Sequence, residues 1–385
     1  MAATLRRLDL RQVTGDVREH LPRPSLDDDG PVAAVRDILA RVEQGGDAAV
    51  RVLSEALDGV VIDDLRVPRT AMDAALAGLP AALRDALEAA RDAIDSFQRS
   101  TLPPSRRYEH QGLVVRDLRR PVDRAGLYVP GGRARYPSTV LMSAIPARVA
   151  GVPEVALCVP PDKDGTINAP TLAAAALAGV DEVYRIGGAQ AIAAMAYGTE
   201  TVRPVDVIVG PGNVYVSIAK REVAQQGRVG VPSAFAGPSE VVVIADATTP
   251  VEFAAIDVMV QAEHGPDGLA WLITWSEEAA DRITEAIERL TAEAPRRSEI
   301  EQNLSRGGYA VLVDSPRQAM EVANAVAPEH LELMNADPES LLDLVRNAGA
   351  VFCGPYAPAS VGDYRAGPSH VLPTYGSARF SSALG

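Results

Sequence analysis

The sequence predicts an α/β protein built from two Rossmann-like parallel-sheet units, the second inserted into the first, with additional helices at the N-terminus. Three observations predict this fold class. From about residue 139 onward, short apolar runs of strand length alternate with helix-length segments, which is the rhythm of βαβ units whose sheet is covered on both faces. Glycine-rich turns punctuate that rhythm at strand ends, in Pro130-Gly-Gly132, Gly187-Gly-Ala-Gln190 and Val209-Gly-Pro-Gly-Asn213. Finally, the alternation breaks and resumes near Gly237, dividing the chain into an inserted unit over 128–238 and an outer unit over 1–127 and 239–385.

Residues 31–98 read as helices. Val32, Val35, Ile38, Leu39 and Val42 recur at helical spacing, and Gly45-Gly46 stops the run. A second long helix, rich in Ala and Leu, covers about 80–97. The stretch 112–129 predicts a hairpin or paired strands, with Leu113-Val-Val-Arg-Asp-Leu followed by Ala125-Gly-Leu-Tyr-Val129. The inserted unit then reads as helices over 139–150, 171–178, 189–196 and 214–225, alternating with strands over 154–159, 182–186 and 205–209. The outer unit resumes with strands over 240–245, 269–275, 309–313 and 350–352 and helices over 250–263, 277–294, 318–326 and 338–347. Residues 331–334 read as a further strand-like run.

Composition narrows the functional class. The 385 residues are 47% hydrophobic and 23% charged, the balance of a soluble globular protein. A net charge of −14 argues against nucleic acid or an anionic membrane as the main partner, because both select a basic face. Cys158 and Cys353 lie in apolar, strand-like runs and read as buried core thiols, so no disulfide framework is expected and a reducing cytoplasm fits. The first residues lack the apolar core of a secretory leader, and no run reaches the roughly 18 apolar residues of a membrane span.

Only five histidines occur in the chain, and three of them sit beside carboxylates or an amide in short motifs. Those groups bind transition metals and move protons near neutral pH. Gln261 and His264 fall three apart at a helix end and share a face. The pair reads either as metal donors or as a helix C-terminus stopped by Gly265-Pro266. Glu329 and His330 are adjacent and can address different partners, one polarising water and the other taking a proton; the plainer reading is a solvated loop pair. Asp363 and His370 lie in a Gly/Pro-rich stretch over 354–376, either a functional loop or a surface tail. Ser239 offers a hydroxyl in the turn Gly237-Pro-Ser239, and His20 and His110 are expected to face solvent. Two of the glycine turns directly precede helices, whose free N–H groups can hold phosphate, although none carries the G-x-G-x-x-G fingerprint.

Taken in order, seven motifs resemble those of histidinol dehydrogenase. They are Gly126-Leu-Tyr128-Val-Pro-Gly-Gly132, Gly187-Gly-Ala-Gln190, Val209-Gly-Pro-Gly-Asn213, Ala236-Gly-Pro-Ser239-Glu, Gln261-Ala-Glu-His264-Gly-Pro-Asp267, Ala327-Pro-Glu329-His330 and Gly362-Asp363 with Gly367-Pro-Ser-His370. The resemblance implies a zinc-dependent, NAD-linked, four-electron oxidation of L-histidinol to L-histidine through the aldehyde, at the end of histidine biosynthesis. It implies that Gln261, His264 and Asp363 are zinc ligands and that Tyr128, Gln190 and Asn213 contact NAD. Ser239 and His370 would line the substrate site together with those ligands, and Glu329 and His330 would form the acid–base pair. A homodimer is implied as well; family members continue into a short helical C-terminal segment that crosses to the other subunit and adds a zinc-binding histidine, whereas the sequence here stops at Gly385. Ser233 stands where the family commonly carries an aspartate. Two other readings follow from the same residues: a family member acting on a different alcohol, and a non-catalytic relative that binds NAD or partners without turnover.

Overall fold

The computed structural model describes residues 5–22, 29–131, 135–232, 239–263 and 268–383. Contacts divide the chain into two units. The first comprises Met1–Leu26, Phe235–Gly362 and Leu372–Ala383, and the second comprises Asp27–Ala234 and Asp363–Val371. The insertion therefore begins about a hundred residues earlier than 128, and the N-terminal helices belong to the inserted unit rather than to the outer one. An amphipathic pattern announces a buried face but not the sheet that covers it.

The chain opens with β1 (Arg6–Asp9), a strand of the first unit. It then builds the second unit, beginning with α1 (Asp29–Asp58), β2 (Arg66–Val67), α2 (Arg69–Ala77) and α3 (Ala81–Thr101). The expected stop at Gly45-Gly46 is a kink, since Gly46 has φ 51° and the helix continues beyond it. A hairpin follows, β3 (Arg106–His110) and β4 (Leu113–Asp117), and then β5 (Arg124–Tyr128), α4 (Pro137–Ala150), β6 (Glu154–Val159) and α5 (Ala169–Leu177). The unit closes with β7 (Glu182–Arg185), α6 (Gly188–Tyr197), β8 (Val207–Val209) and α7 (Val214–Gln225).

The sheet of this unit has the order β2-β7-β6-β5-β8. The pairs β5–β6, β6–β7 and β5–β8 are parallel, and only the edge strand β2 is antiparallel. Apolar side chains from α1, including Val35, Leu39, Val42 and Leu53, share one core with Ile192 and Met195 of α6 and Val216 of α7. On the other face Leu87 and Ile94 of α3 join Val140 and Leu141 of α4. These shared cores are what draw the N-terminal helices into the insertion. One local expectation fails here. Residues 113–117 pair with 106–110 and not with 125–129, which instead form the parallel strand β5.

The first unit resumes with β9 (Glu240–Ala245), α8 (Val251–Ala262), β10 (Leu269–Thr274), α9 (Glu277–Glu293) and α10 (Arg297–Gly307). It ends with β11 (Gly308–Leu312), α11 (Pro316–Val326), β12 (His330–Leu333) and β13 (Ala350–Cys353). Its sheet runs β1-β11-β10-β9-β12-β13 and every pair is parallel. Strand residues alternate between two cores. Val241, Val243 and Ala245 face α8 to α10, while Val242 and Ile244 join Met320 and Val322 of α11. Residues 339–344 wind as a 3-10 turn where a helix was expected. Among the core thiols, Cys158 is fully buried and Cys353 is half-buried. His20 and His110 are exposed, as expected. No helix among the described residues is long and apolar enough to cross a membrane.

Candidate active site

Three turns of the second unit converge at the C-terminal ends of its parallel strands. The chain runs β5, β6, β7 in one direction and then returns to place β8 on the other side of β5. The switch in direction lies between β5 and β8, the position where open α/β sheets leave a crevice for ligands. Tyr128 ends β5 and Gly210 follows β8, so both stand at that crevice. Gly210 has φ +107°, and a Cβ there would overlap the Tyr128 carbonyl, so only glycine lets the two strands end this close. The Tyr128 hydroxyl accepts the Gly188 N–H at 3.1 Å, tying the third turn to the first two. Burial pushes the Tyr128 phenol up, which keeps it protonated.

Each predicted dinucleotide residue has a defined structural task at this point. Gln190 is fully buried; its Nε2 donates to Asp58 Oδ2 at 3.2 Å, while its Oε1 has no partner among the described residues. Burial raises the Asp58 carboxyl against the lowering effect of the Gln190 bond. Asn213 caps α7, its side chain accepting the Val216 N–H at 3.1 Å. Val214 and Tyr215 follow it, exposed, and their N–H groups are first-turn donors with no intrahelical acceptor.

The first unit has a switch point too, between β9 and β12, but its C-terminal side is filled. There Asp246 accepts the Thr248 N–H and hydroxyl at 2.8 and 2.6 Å and the Ala336 N–H at 2.9 Å. Burial works to raise the Asp246 carboxyl, and these donors outweigh it and hold it below the usual range.

The remaining predicted residues of this unit gather instead at the N-terminal ends of its strands. Ser239 precedes β9, Gly268 precedes β10 and Glu329 precedes β12. A Cβ on Gly268 would stand 2.8 Å from the Ser239 carbonyl and 3.9 Å from that of Gln261, so this glycine lets the two segments meet. Gln261 lies in the last turn of α8, buried, with its Oε1 unpartnered among the described residues. Ala327 ends α11 in the left-handed region at φ 55°, an unusual choice for a residue with a side chain, and turns the chain directly into Glu329 and His330.

Glu329 and His330 are both buried and both lean on the main chain of Glu240. The Glu240 N–H donates to Glu329 Oε2 at 2.9 Å, and His330 Nδ1 lies 3.0 Å from the Glu240 carbonyl. A carbonyl only accepts, so the hydrogen sits on Nδ1 and Nε2 carries the lone pair. The sequence reading missed Glu240. Its signal was present, since an acid opening an otherwise apolar strand (Glu240-Val-Val-Val-Ile-Ala) is costly to bury. Burial pushes its carboxyl up to about 7, against the Tyr375 N–H that donates to it at 3.0 Å.

Asp363 and His370 belong to the second unit, on the segment that returns to it late in the chain. Gly367, at φ +99°, packs so tightly on Ala93 and Phe97 of α3 that no Cβ fits. This seat brings His370 Nε2 to within 3.3 Å of the Thr139 hydroxyl of α4. Burial lowers His370 to about 4, against a bond to the Asp363 backbone, and the imidazole is neutral at neutral pH. Burial also pushes the Asp363 carboxyl up to about 7. His264 lies outside the described residues, so the described part of the predicted ligand set is Gln261 and Asp363.

Residues 21–385 match the family model described as histidinol dehydrogenase. The chain belongs to the histidinol dehydrogenase family. It is 48% identical over 355 residues to the histidinol dehydrogenase of Synechococcus sp., covering 91% of this chain and 81% of that protein. Against the histidinol dehydrogenase of Pseudomonas aeruginosa the identity is 48% over 365 residues, covering 94% of this chain and 82% of its relative. The crystal structure of histidinol dehydrogenase from Elizabethkingia anophelis superposes with a TM-score of 0.93 at 34% identity, covering 100% of this chain and 88% of that one. The family is one of oxidoreductases acting on a small molecule, and both parallel-sheet units of this chain are those of a histidinol dehydrogenase fold.

Proposed function

We propose that this chain oxidises L-histidinol to L-histidine, with NAD as electron acceptor and zinc as the metal, in histidine biosynthesis. The observation that carries the reading is the double attachment of Glu329 and His330 to the main chain of Glu240, which presents a carboxylate and an oriented imidazole side by side. Within the second unit, the crevice between β5 and β8, the first-turn donors of α7 and the Gln190 Oε1, unpartnered among the described residues, fit a dinucleotide. Within the first unit, the buried Gln261 Oε1, unpartnered among the described residues, is the kind of oxygen donor a metal would take up; within the second, the Asp363 carboxyl, pushed up by burial, would return to its ionised form beside a cation.

When bound, NAD takes up hydride, and zinc, being redox-inert, grips and polarises the substrate. Gln261, His264 and Asp363 would supply the metal's ligands, and Tyr128, Gln190 and Asn213 would set the walls of the NAD site. His330, with its hydrogen fixed on Nδ1, receives the hydroxyl proton on Nε2 as hydride leaves the carbinol carbon. Water then adds to the aldehyde carbon and gives a proton to Glu329, so that a second hydride can leave and the acid results. Each proton thus has a named acceptor and each hydride leaves with its electron pair. Ser239 and His370 would contact the substrate, and the neutral His370 would accept from its ammonium.

A homodimer completes this reading. The hairpin of β3 and β4 supports it, because Tyr108, Leu113, Val114 and Val115 are all exposed on a two-stranded ribbon. Light scattering on the 40.6 kDa chain distinguishes one copy from two.

The deciding experiment is NADH production from L-histidinol with zinc added. Formation of two equivalents of NADH and one of L-histidine per histidinol supports the proposal. Absence of turnover across a range of zinc and NAD concentrations overturns it.

A further inference from the structure

One buried titratable group has no part in the chemistry above. Lys220 lies on α7 and is 1% exposed, inside the apolar core that holds Val216, Ala219 and Val223. Its Nζ donates to the carbonyl of Gly210 in the turn ahead of the same helix, and among the described residues it makes no other bond. Burial alone pushes the ammonium down to about 7, with no carboxylate to offset it. An unpaired buried ammonium is costly, and a methionine would fill the same volume without that cost. A purely structural role is therefore a poor account of this side chain.

The Gly210 carbonyl supplies a better one. Gly210 stands at φ +107° against the Tyr128 main chain, in the crevice assigned to the dinucleotide. The following nitrogen belongs to Pro211 and carries no hydrogen, so the donors the turn can offer begin at Gly212 and continue into α7. Were the Gly210 carbonyl to rotate outward, its negative end would face the place where a phosphate would lie. The Lys220 ammonium holds it inward.

We propose that Lys220 is a positioning residue for the dinucleotide pyrophosphate, keeping the Gly210 carbonyl turned away so that the start of α7 presents only donors. This rests on the dinucleotide reading of the crevice between β5 and β8. Lys220 itself touches no ligand. It acts through the turn.

The test uses Lys220→Met in the full chain, with calorimetric titration of NAD, ADP-ribose and adenosine, alongside the thermal midpoint and the zinc content. NAD and ADP-ribose, which share the pyrophosphate, should bind about tenfold more weakly to the variant, the effect of one lost charge-assisted bond. Adenosine affinity, zinc content and the KM for histidinol should stay at the wild-type level, and the thermal midpoint should hold or rise. Unchanged NAD affinity, or an equal loss for adenosine and ADP-ribose, overturns the inference, because the turn would then be indifferent or generally distorted. Should the methionine variant fail to fold, Lys220→Gln is titrated with the same three ligands, and the same losses support or overturn the role. Wild-type protein that binds neither NAD nor ADP-ribose sinks the dinucleotide reading itself; equal binding by wild type and variant sinks only the role of Lys220.

Discussion

His330 Nδ1 lies 3.0 Å from the carbonyl of Glu240, so the main chain of one strand decides which ring nitrogen of a residue on the next strand can take a proton. Replacing His330 with Asn removes that nitrogen. His330→Asn should lower kcat about 10²- to 10⁴-fold, the range of a lost general base. Zinc content and NAD affinity should not move. Wild-type turnover in this variant would remove His330 from the chemistry.

Gln261 keeps a buried amide oxygen without a partner among the described residues. Such an atom costs about 1–3 kcal/mol until something bonds it. Gln261→Leu should therefore leave the metal-free protein as stable as wild type, or more so, while zinc is lost on dialysis. Equal zinc retention by the two proteins would exclude Gln261 as a ligand.

Glu240 has a stability signature of its own. Its carboxyl is pushed up to about 7 in the fold by burial, whereas an unfolded glutamate titrates near 4.3. Between those values the folded chain holds a proton that the unfolded chain has released, so stability falls as pH rises from about 4 to about 7 and is then constant. Glu240→Gln cannot titrate. Its advantage over wild type should grow across that window, by at most about 4 kcal/mol, and level off above it. Urea denaturation at about pH 5 and about pH 8 measures the change, and a pH-independent difference would contradict it.

Gly210→Ala probes the end of β8. The substitution meets both an unfavourable φ and the Tyr128 carbonyl, and should cost about 1–3 kcal/mol or more. Calorimetry should show a lower thermal midpoint, and an unshifted one would mean that the turn relaxes without strain.

Much of this architecture was legible in the sequence because parallel strands covered on both faces are continuous apolar runs. Glu240–Ala245 and Glu154–Val159 stand where the pattern predicted them. The helix α10 was missed because only Ile300 and Leu304 mark its apolar side, and a polar Asn303 is buried with them. β1 was missed because Arg6 and Arg7 hide a four-residue edge strand that finds its partner about three hundred residues away. The same limit of range explains the misplaced boundary at 128. Nothing local in Val35 or Leu39 says that α1 packs beside α6. Motif resemblance located Glu329 and His330, but no motif reveals that the main chain of Glu240 orients them, because a backbone group has no letter in the sequence.

The two crevices differ in one respect with a numerical consequence. Where the second unit leaves helix N–H groups uncommitted, the first unit places Asp246 at its own switch point, a carboxylate that takes the loop N–H groups of Thr248 and Ala336 as an anionic ligand would. On the dinucleotide reading, only the second unit would then offer a seat. A titration of this protein should saturate at one dinucleotide per chain. A four-electron oxidation carried out on it would then proceed by exchange, with the first reduced carrier departing before the second arrives and the half-oxidised substrate retained meanwhile.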